Sequence, residues 1–324
     1  MKDRNGHFSS GEKVANCPPA NINYVATIGS FDGVHRGHQC LLSQVRHIAD
    51  ERGLKAMAVT FAHSPKKVLG CGDMTLLSCM DERLTLLCQA GMDKVTVLDF
   101  TREMAEMSAR DFMQQVLKEQ LDVTVLVIGY DHRFGRGRTD GFDDFVQYGH
   151  EIGIEVVRGE ACIDGEEPIS STRIRQDLAK GKVAEAAQLL GYNYTLCGKV
   201  VDGYREGRKM GFPTANLSDI DASKLIPADG VYAVRVYVNS NGDEGKNERT
   251  CRHKGMLNIG YRPTLNNGKE RSIEVHILDF EGNLYGQSLC IEFIERIREE
   301  RTFNNVNELI AQLHADRLIV EQML

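Results

Sequence analysis

The residues best equipped for chemistry crowd into Ile28-Gly29-Ser30-Phe31-Asp32-Gly33-Val34-His35-Arg36-Gly37-His38. Its glycines let the backbone turn tightly and approach a ligand closely. A helix-period pattern starts near Gly37, so the free N–H groups and positive dipole end of a helix face the same place. Gly29, Ser30, Phe31, Asp32 and Gly37 form a candidate phosphate cradle. His35 and His38 flank Gly37, where two imidazoles can donate hydrogen bonds to a phosphate that gains charge during displacement. A metal site or two surface histidines are the alternatives, and the chain shows no convincing cluster of further His or Cys ligands.

Four other segments carry candidate chemistry. Ile128-Gly129-Tyr130-Asp131-His132-Arg133-Phe134-Gly135-Arg136-Gly137-Arg138 is a Gly- and Arg-rich loop that follows an apolar strand. Ile169-Ser170-Ser171-Thr172-Arg173-Ile174-Arg175 opens a helix whose first turn offers hydroxyls and guanidinium groups to anions. Alone, it reads as an ordinary cap with a solvated arginine. Pro213-Thr214-Ala215-Asn216 places a hydroxyl and a carboxamide oxygen close together. These are hard ligands suited to Mg²⁺ that already carries phosphate, although a Pro-initiated turn with an Asx hydrogen bond has the same pattern. Glu274 lies in an alternating run, sharing a face with His276 and Leu278, while Ile273, Val275 and Ile277 share the other. Carboxylates on such strands are most often solvated edge charges.

The elements that must position these groups divide into two sets. Tyr24 to Ile28, Lys55 to Phe61, Lys94 to Leu98 and Val123 to Ile128 read as strands. They alternate with helices, one closed by Gly53 and one capped by Ser108, which predicts a parallel sheet with helices on both faces. Ligands bind such sheets beyond the C-terminal strand ends, where the loop at Gly29 to Gly37 falls. From Tyr194 the pattern changes to Thr195 to Val201, Val231 to Val238, Lys254 to Ile259, Ser272 to Phe280 and Ser288 to Ile297. Closely spaced strands predict an antiparallel barrel or sandwich. A final helix begins at an Asn304 or Asn305 cap and puts Val306, Leu309, Ile310, Leu313 and Val320 on one side. The expected divisions are a disordered leader over 1–21, an α/β domain over 22–191 and a β domain over 192–324.

Taken in order, these segments resemble the bifunctional riboflavin kinase/FAD synthetase family of bacteria. The G-x-H-x-G-H stretch is similar to the nucleotidylyltransferase signature. The likeness continues through Leu189-Leu190-Gly191, Gly198-Lys199-Val200-Val201 and Gly207-Arg208-Lys209-Met210-Gly211-Phe212-Pro213-Thr214-Ala215-Asn216. It runs on through Gly230-Val231-Tyr232, Asn258-Ile259-Gly260, Ile273-Glu274-Val275-His276 and Ile297-Arg298-Glu299-Glu300-Arg301. The resemblance implies a Rossmann-like FMN adenylyltransferase domain followed by a riboflavin kinase barrel and terminal helix. It implies that riboflavin is phosphorylated by ATP to FMN, and FMN is then adenylylated to FAD with release of pyrophosphate. Catalytic roles fall on Glu274, His35 and His38. ATP contacts in the first domain fall on the cradle residues with Ser171, Thr172 and Arg175, and flavin contacts on Asp131 and Phe134. In the second domain, Gly198, Lys199, Gly207 and Gly211 would meet ATP, Thr214 and Asn216 would hold Mg²⁺, and Arg298 would help close the flavin site.

Two departures bear on the first domain: Ser64 stands where the family has histidine, and Ser30 where asparagine is common. They keep open a kinase with a weak or inactive adenylyltransferase domain; a non-enzymatic flavin-binding regulator built on the same folds is a separate alternative.

Bulk composition sets outer limits. The chain has 324 residues, 42% hydrophobic and 26% charged, enough for two cored domains. A net charge of −7 gives no reason to expect a nucleic-acid or anionic-membrane partner. No apolar run approaches membrane-spanning length. The nine cysteines are scattered without a C-x-x-C, so reduced thiols in a cytoplasmic monomer or weak homo-oligomer are expected.

Overall fold

The computed structural model describes residues 23–63, 75–130, 132–160, 163–164, 167–203, 206–239, 252–263 and 269–324. The leader expected over 1–21, and Ser64 and Asp131, lie outside them. Two compact units divide the chain, Met1–Ser170 and Ser171–Leu324.

The first unit holds β1 (Tyr24–Ile28), α1 (Arg36–Arg52), β2 (Lys55–Phe61), α2 (Met80–Gln89) and β3 (Lys94–Leu98). It continues with α3 (Arg102–Glu106), α4 (Ala109–Asp111), a π-helical stretch Phe112–Lys118 and β4 (Val123–Ile128). It ends with α5 (Phe142–Ile152), β5 (Glu155–Arg158) and a short ribbon of β6 (Ile163–Asp164) and β7 (Glu167–Pro168). β1 to β5 form one sheet in the order β3-β2-β1-β4-β5, with every pairing parallel. The near-continuous apolar strands demand cover on both faces. One face packs under Phe112, Met113, Val116 and Leu117, and the other under Leu42, Val45 and Ala49 of α1. Strand order reverses between β1 and β4, so both Gly-rich loops leave from adjacent strand ends, the place where open α/β sheets take ligands. Gly53 ends α1 at φ 66°, as the sequence indicates.

The second unit starts with α6 (Ser171–Ala179) and α7 (Val183–Leu190). It then builds β8 (Thr195–Val201), α8 (Glu206–Lys209), β9 (Ala215–Ser218), β10 (Gly230–Asn239), β11 (Arg252–Pro263), β12 (Lys269–Ile277), β13 (Ser288–Arg298) and α9 (Val306–Met323). The six strands close into an antiparallel barrel in the order β10-β11-β12-β9-β8-β13. Tyr232, Val234, Leu257, Val275, Ile291 and Phe293 are buried on the alternate positions that fill it. The outer face beneath α9 buries Phe212, Ala233, Met256, Leu278 and Val320. Asn305 caps α9, its side chain accepting the Glu308 N–H at 3.0 Å.

Three details differ from the sequence reading. The helices α6 and α7, grouped there with the α/β half, belong here to the unit that contains the barrel. Val306, expected on the apolar side of α9, is 59% exposed because it sits at the first turn, beyond the barrel wall. Cys197 and Cys290, expected to be reduced, form a disulfide. Register explains it: they lie directly opposite on β8 and β13, a juxtaposition invisible from a sequence separation of 93. Among the described residues, Cys40 and Cys88 carry free thiols.

Candidate active sites

The loop after β1 is held from below. Asp32, 3% exposed, accepts the Leu77 N–H at 2.9 Å, the Ser78 N–H at 3.1 Å and the Ser78 hydroxyl at 3.4 Å. Arg83, 4% exposed, ion-pairs with Asp32 at 4.0 Å and donates to the Phe61 and Ser78 carbonyls. Burial lowers the Arg83 pKa, and the neighbouring Asp32 charge opposes that shift. Asp32 therefore ties the loop to the segment before α2, and its carboxylate is occupied by those donors. Phe31 at φ 46° and Val34 at φ 33° are both buried. Such backbone strain in bulky residues persists only where the surroundings over-determine it, typically at ligand-binding sites.

The anchored loop delivers the two imidazoles to the start of α1. His35 is the N-cap, its Nδ1 accepting the His38 N–H at 3.3 Å. The rings stack at 3.7 Å between centroids, and Phe31 meets His38 edge-on at 5.3 Å. His38 Nδ1 is buried with no hydrogen-bond partner among the described residues. Burial pushes the His38 pKa well below the usual histidine value, with the charges of His35, Arg83 and His132 adding to the effect. A neutral His38 keeps one N–H to donate and pays no cost for a buried charge. At Gly37 an added Cβ would lie 3.2 Å from the His35 ring and 3.3 Å from the Ile169 carbonyl, tighter than ordinary contact, so glycine eases the close approach. Gly29 is buried on the Phe31 ring, and Ser30 stands exposed beside it.

The loop after β4 packs onto the core edge. Phe134 stacks on Phe145 at 4.5 Å and tilts against Phe112 at 5.7 Å, and so joins the core edge. His132, given no role in the sequence reading, is the residue of that loop whose charge reaches His38. Ser171, Thr172 and Arg175 lie on α6 at the start of the second unit.

On the barrel, strand register assembles the second group. Glu274 on β12 lies opposite Asn216 on β9 and opposite Asn258 on β11. Directly opposite residues of antiparallel strands share a face, with Cβ atoms about 5 Å apart. The Thr214 hydroxyl donates to Glu274 Oε2 at 3.2 Å. The structure thus brings Thr214, Asn216 and Glu274 together on the outer face, and adds Asn258 as a flank that sequence reasoning missed. Gly203 also went unnoticed: a Cβ there would sit 2.1 Å from Asn216 Nδ2. Gly207 backs onto the Phe212 carbonyl, 2.2 Å from its would-be Cβ, and Gly211 adopts φ 82° with open space around it. Gly198 points into the barrel, where a Cβ would meet the Ser218 carbonyl at 2.6 Å, while Lys199 is exposed. Arg298 is engaged by the fully buried Asp316 of α9, donating from Nη2 at 2.9 Å and Nε at 3.0 Å.

Comparison with known proteins decides the family. An FAD synthetase family model matches residues 17–173 and a riboflavin kinase model matches residues 190–324. A curated bifunctional riboflavin kinase/FMN adenylyltransferase from Listeria monocytogenes is 36% identical over 91% of this chain and 91% of its own. The chain belongs to the bifunctional riboflavin kinase/FMN adenylyltransferase family. The Escherichia coli K12 member is also 36% identical, over 92% of each chain. A crystal structure from Streptococcus pneumoniae, named a macrolide-efflux protein, superposes with a TM-score of 0.83 at 31% identity, covering 94% of this chain and 95% of that one. That name describes a different activity, yet the match spans both units of this family's fold. No helix among the described residues is long and apolar enough to cross a membrane. The family's two matched regions leave residues 174–189 between them, most of α6 and α7.

Proposed function

We propose that this chain makes FAD in two ATP-dependent steps, riboflavin phosphorylation on the barrel and FMN adenylylation on the α/β unit. The observation that carries the reading is the meeting of Thr214 and Glu274 at 3.2 Å, with Asn216 opposite, in the chain that also stacks His35 on His38 at a sheet switch point. The family membership supports both halves.

In the kinase step, Glu274 is the general base. Its carboxylate takes the proton of the riboflavin 5′-hydroxyl as that oxygen attacks the γ-phosphorus of ATP, and ADP leaves. Thr214 and Asn216 are the residues that would hold Mg²⁺. They fit it because the Thr214 proton is directed at Glu274, which turns oxygen lone pairs outward, and because both groups are neutral hard donors. Bound Mg²⁺ neutralises phosphate charge. Gly207 and Gly211 shape the turn before Thr214, Lys199 offers an exposed cation to phosphate, and Arg298 orders the end of β13 beside the flavin.

In the adenylyl step, the phosphate oxygen of FMN attacks the α-phosphorus of ATP and pyrophosphate departs. His35 and His38 donate to the α-phosphate, and the N-terminus of α1, Gly29, Ser30 and Gly37 present backbone and hydroxyl groups. Ser171, Thr172 and Arg175 supply further anion contacts, and Asp131 and Phe134 flavin contacts.

We place both reactions in the cytoplasm, with riboflavin, FMN and ATP as partners, no nucleic acid or membrane, and a monomer or weak homo-oligomer as the working form. ATP use and the net charge of −7 favour this setting. The Cys197–Cys290 disulfide pulls the other way, since cytosolic thiols are usually kept reduced.

Product chromatography tests the reading. Riboflavin with MgATP is expected to give FMN and then FAD, and FMN with MgATP to give FAD and pyrophosphate. No FMN from riboflavin would remove the kinase assignment, and no FAD from FMN would remove the adenylyltransferase assignment.

A further inference from the structure

The ladder between β9 and β12 stops early. Asn216 pairs with Glu274 and Ala215 with Val275, and no pairing continues to Thr214 and Pro213. Pro213 has no N–H to offer a strand partner. Thr214 and Pro213 are exposed, so Thr214 would be set by no regular backbone bond to β12. A side chain takes over where the ladder ends. His276, next on the outer face after Glu274, is 6% exposed, and its Nδ1–H donates to the Pro213 carbonyl at 2.8 Å. The ring is itself packed: Phe212 meets it edge-on at 5.2 Å, and His314 of α9 meets Phe212 edge-on at 5.0 Å. Nε2 of His276 is buried without a partner among the described residues, so the ring is held through Nδ1 and packing alone.

We propose that His276 is a positioning residue for the kinase reaction, clasping the Pro213 carbonyl so that Thr214 stays within reach of Glu274 and of the phosphate-bound cation. The inference rests on the barrel being the kinase site. His276 touches neither the flavin hydroxyl nor phosphate. It acts through the turn, two residues along one strand from the base and one residue before the hydroxyl. Without the clasp the ladder to β12 holds this segment only from Ala215 onward, and Thr214 moves relative to Glu274.

Two variants separate the hydrogen bond from the ring. His276→Phe keeps a ring against Phe212 and removes the donor. His276→Asn keeps an N–H donor near the Nδ1 position and gives up the ring. In the full-length protein, H276F is expected to lower kinase kcat and raise KM for MgATP, with kcat/KM down about 10–100-fold, the scale of a catalytic group displaced by about 1 Å. FAD formation from supplied FMN should keep its wild-type rate, and the melting temperature should stay near wild type. H276N should recover most of the loss. Wild-type kinetics in H276F would overturn the proposal. So would H276N as impaired as H276F, or a loss that falls equally on the adenylyl step, since each assigns the residue to packing alone. Glu274→Ala run alongside distinguishes the two levels of inference. Undiminished phosphorylation in that variant removes the kinase reading itself, whereas its loss beside a wild-type H276F rejects only the clasp.

Discussion

The two proposed sites face one problem, holding a flavin acceptor against ATP, and meet it in different ways. On the α/β unit the functional groups stand on a loop, and the loop is fixed by a buried charge pair, strained backbone and ring stacking. On the barrel they stand on or beside strands, and antiparallel register does most of the fixing. A loop site depends on its anchors, so distant buried residues matter as much as those facing the ligand. A strand site depends on local spacing, so glycines and single clasps matter most.

The sharpest way to break this contrast is Glu274→Ala. Loss of the general base is expected to cut riboflavin phosphorylation by about 10²–10⁴-fold while FAD formation from added FMN continues. A parallel fall in both activities would mean the sites are not independent. Next, Arg83→Met should remove the ion-pair partner of the buried Asp32 carboxylate and cost the α/β unit about 3 kcal/mol. Denaturant unfolding with one probe in each unit should show the barrel transition unmoved. His38→Ala is expected to slow adenylyl transfer by on the order of 10²-fold, the scale of one transition-state donor, and to spare the kinase. Unchanged adenylyl transfer would put the donor elsewhere. A smaller effect is expected from Gly203→Ala, whose methyl group displaces Asn216 and raises the kinase KM for MgATP about 10-fold.

The smallest effect concerns pH. Burial lowers the pKa of both His38 and His276 from an ordinary value near 6.5. Below that value the unfolded chain binds protons that the folded chain refuses, so stability is lost as pH falls from about 6.5 towards the folded pKa values. Melting temperature measured from pH 7.5 downward should fall in that window, and fall less in His276→Phe. A flat profile would show that the rings are hydrated in solution.

Much of this architecture was legible in the residues. The four strands β1 to β4 fall where apolar runs place them, because buried parallel strands are short, apolar and bounded by loops. Gly53 and Asn305 end and begin helices as their types demand. The barrel strands were legible except β9, since Ala215–Ser218 is only 4 residues and opens inside a motif that reads as a turn. What the sequence concealed is what only three-dimensional register creates. Asn258 faces Glu274 across strands, Cys290 faces Cys197, and Arg83 reaches back to Asp32 over a separation no periodicity records. Gly198 and Phe134 carry the opposite lesson: motif position suggested ligands, yet each is also demanded by packing.

The alternation of β12 puts Glu274 on the outer surface of the closed sheet and Ile273 and Val275 within it. The interior thus lies on the opposite face of the sheet from the proposed base. Exchanging Leu257, Val275 or Phe293 for other apolar side chains of matching volume should therefore shift thermal tolerance and leave kinase turnover alone, separating durability from chemistry in this half of the molecule.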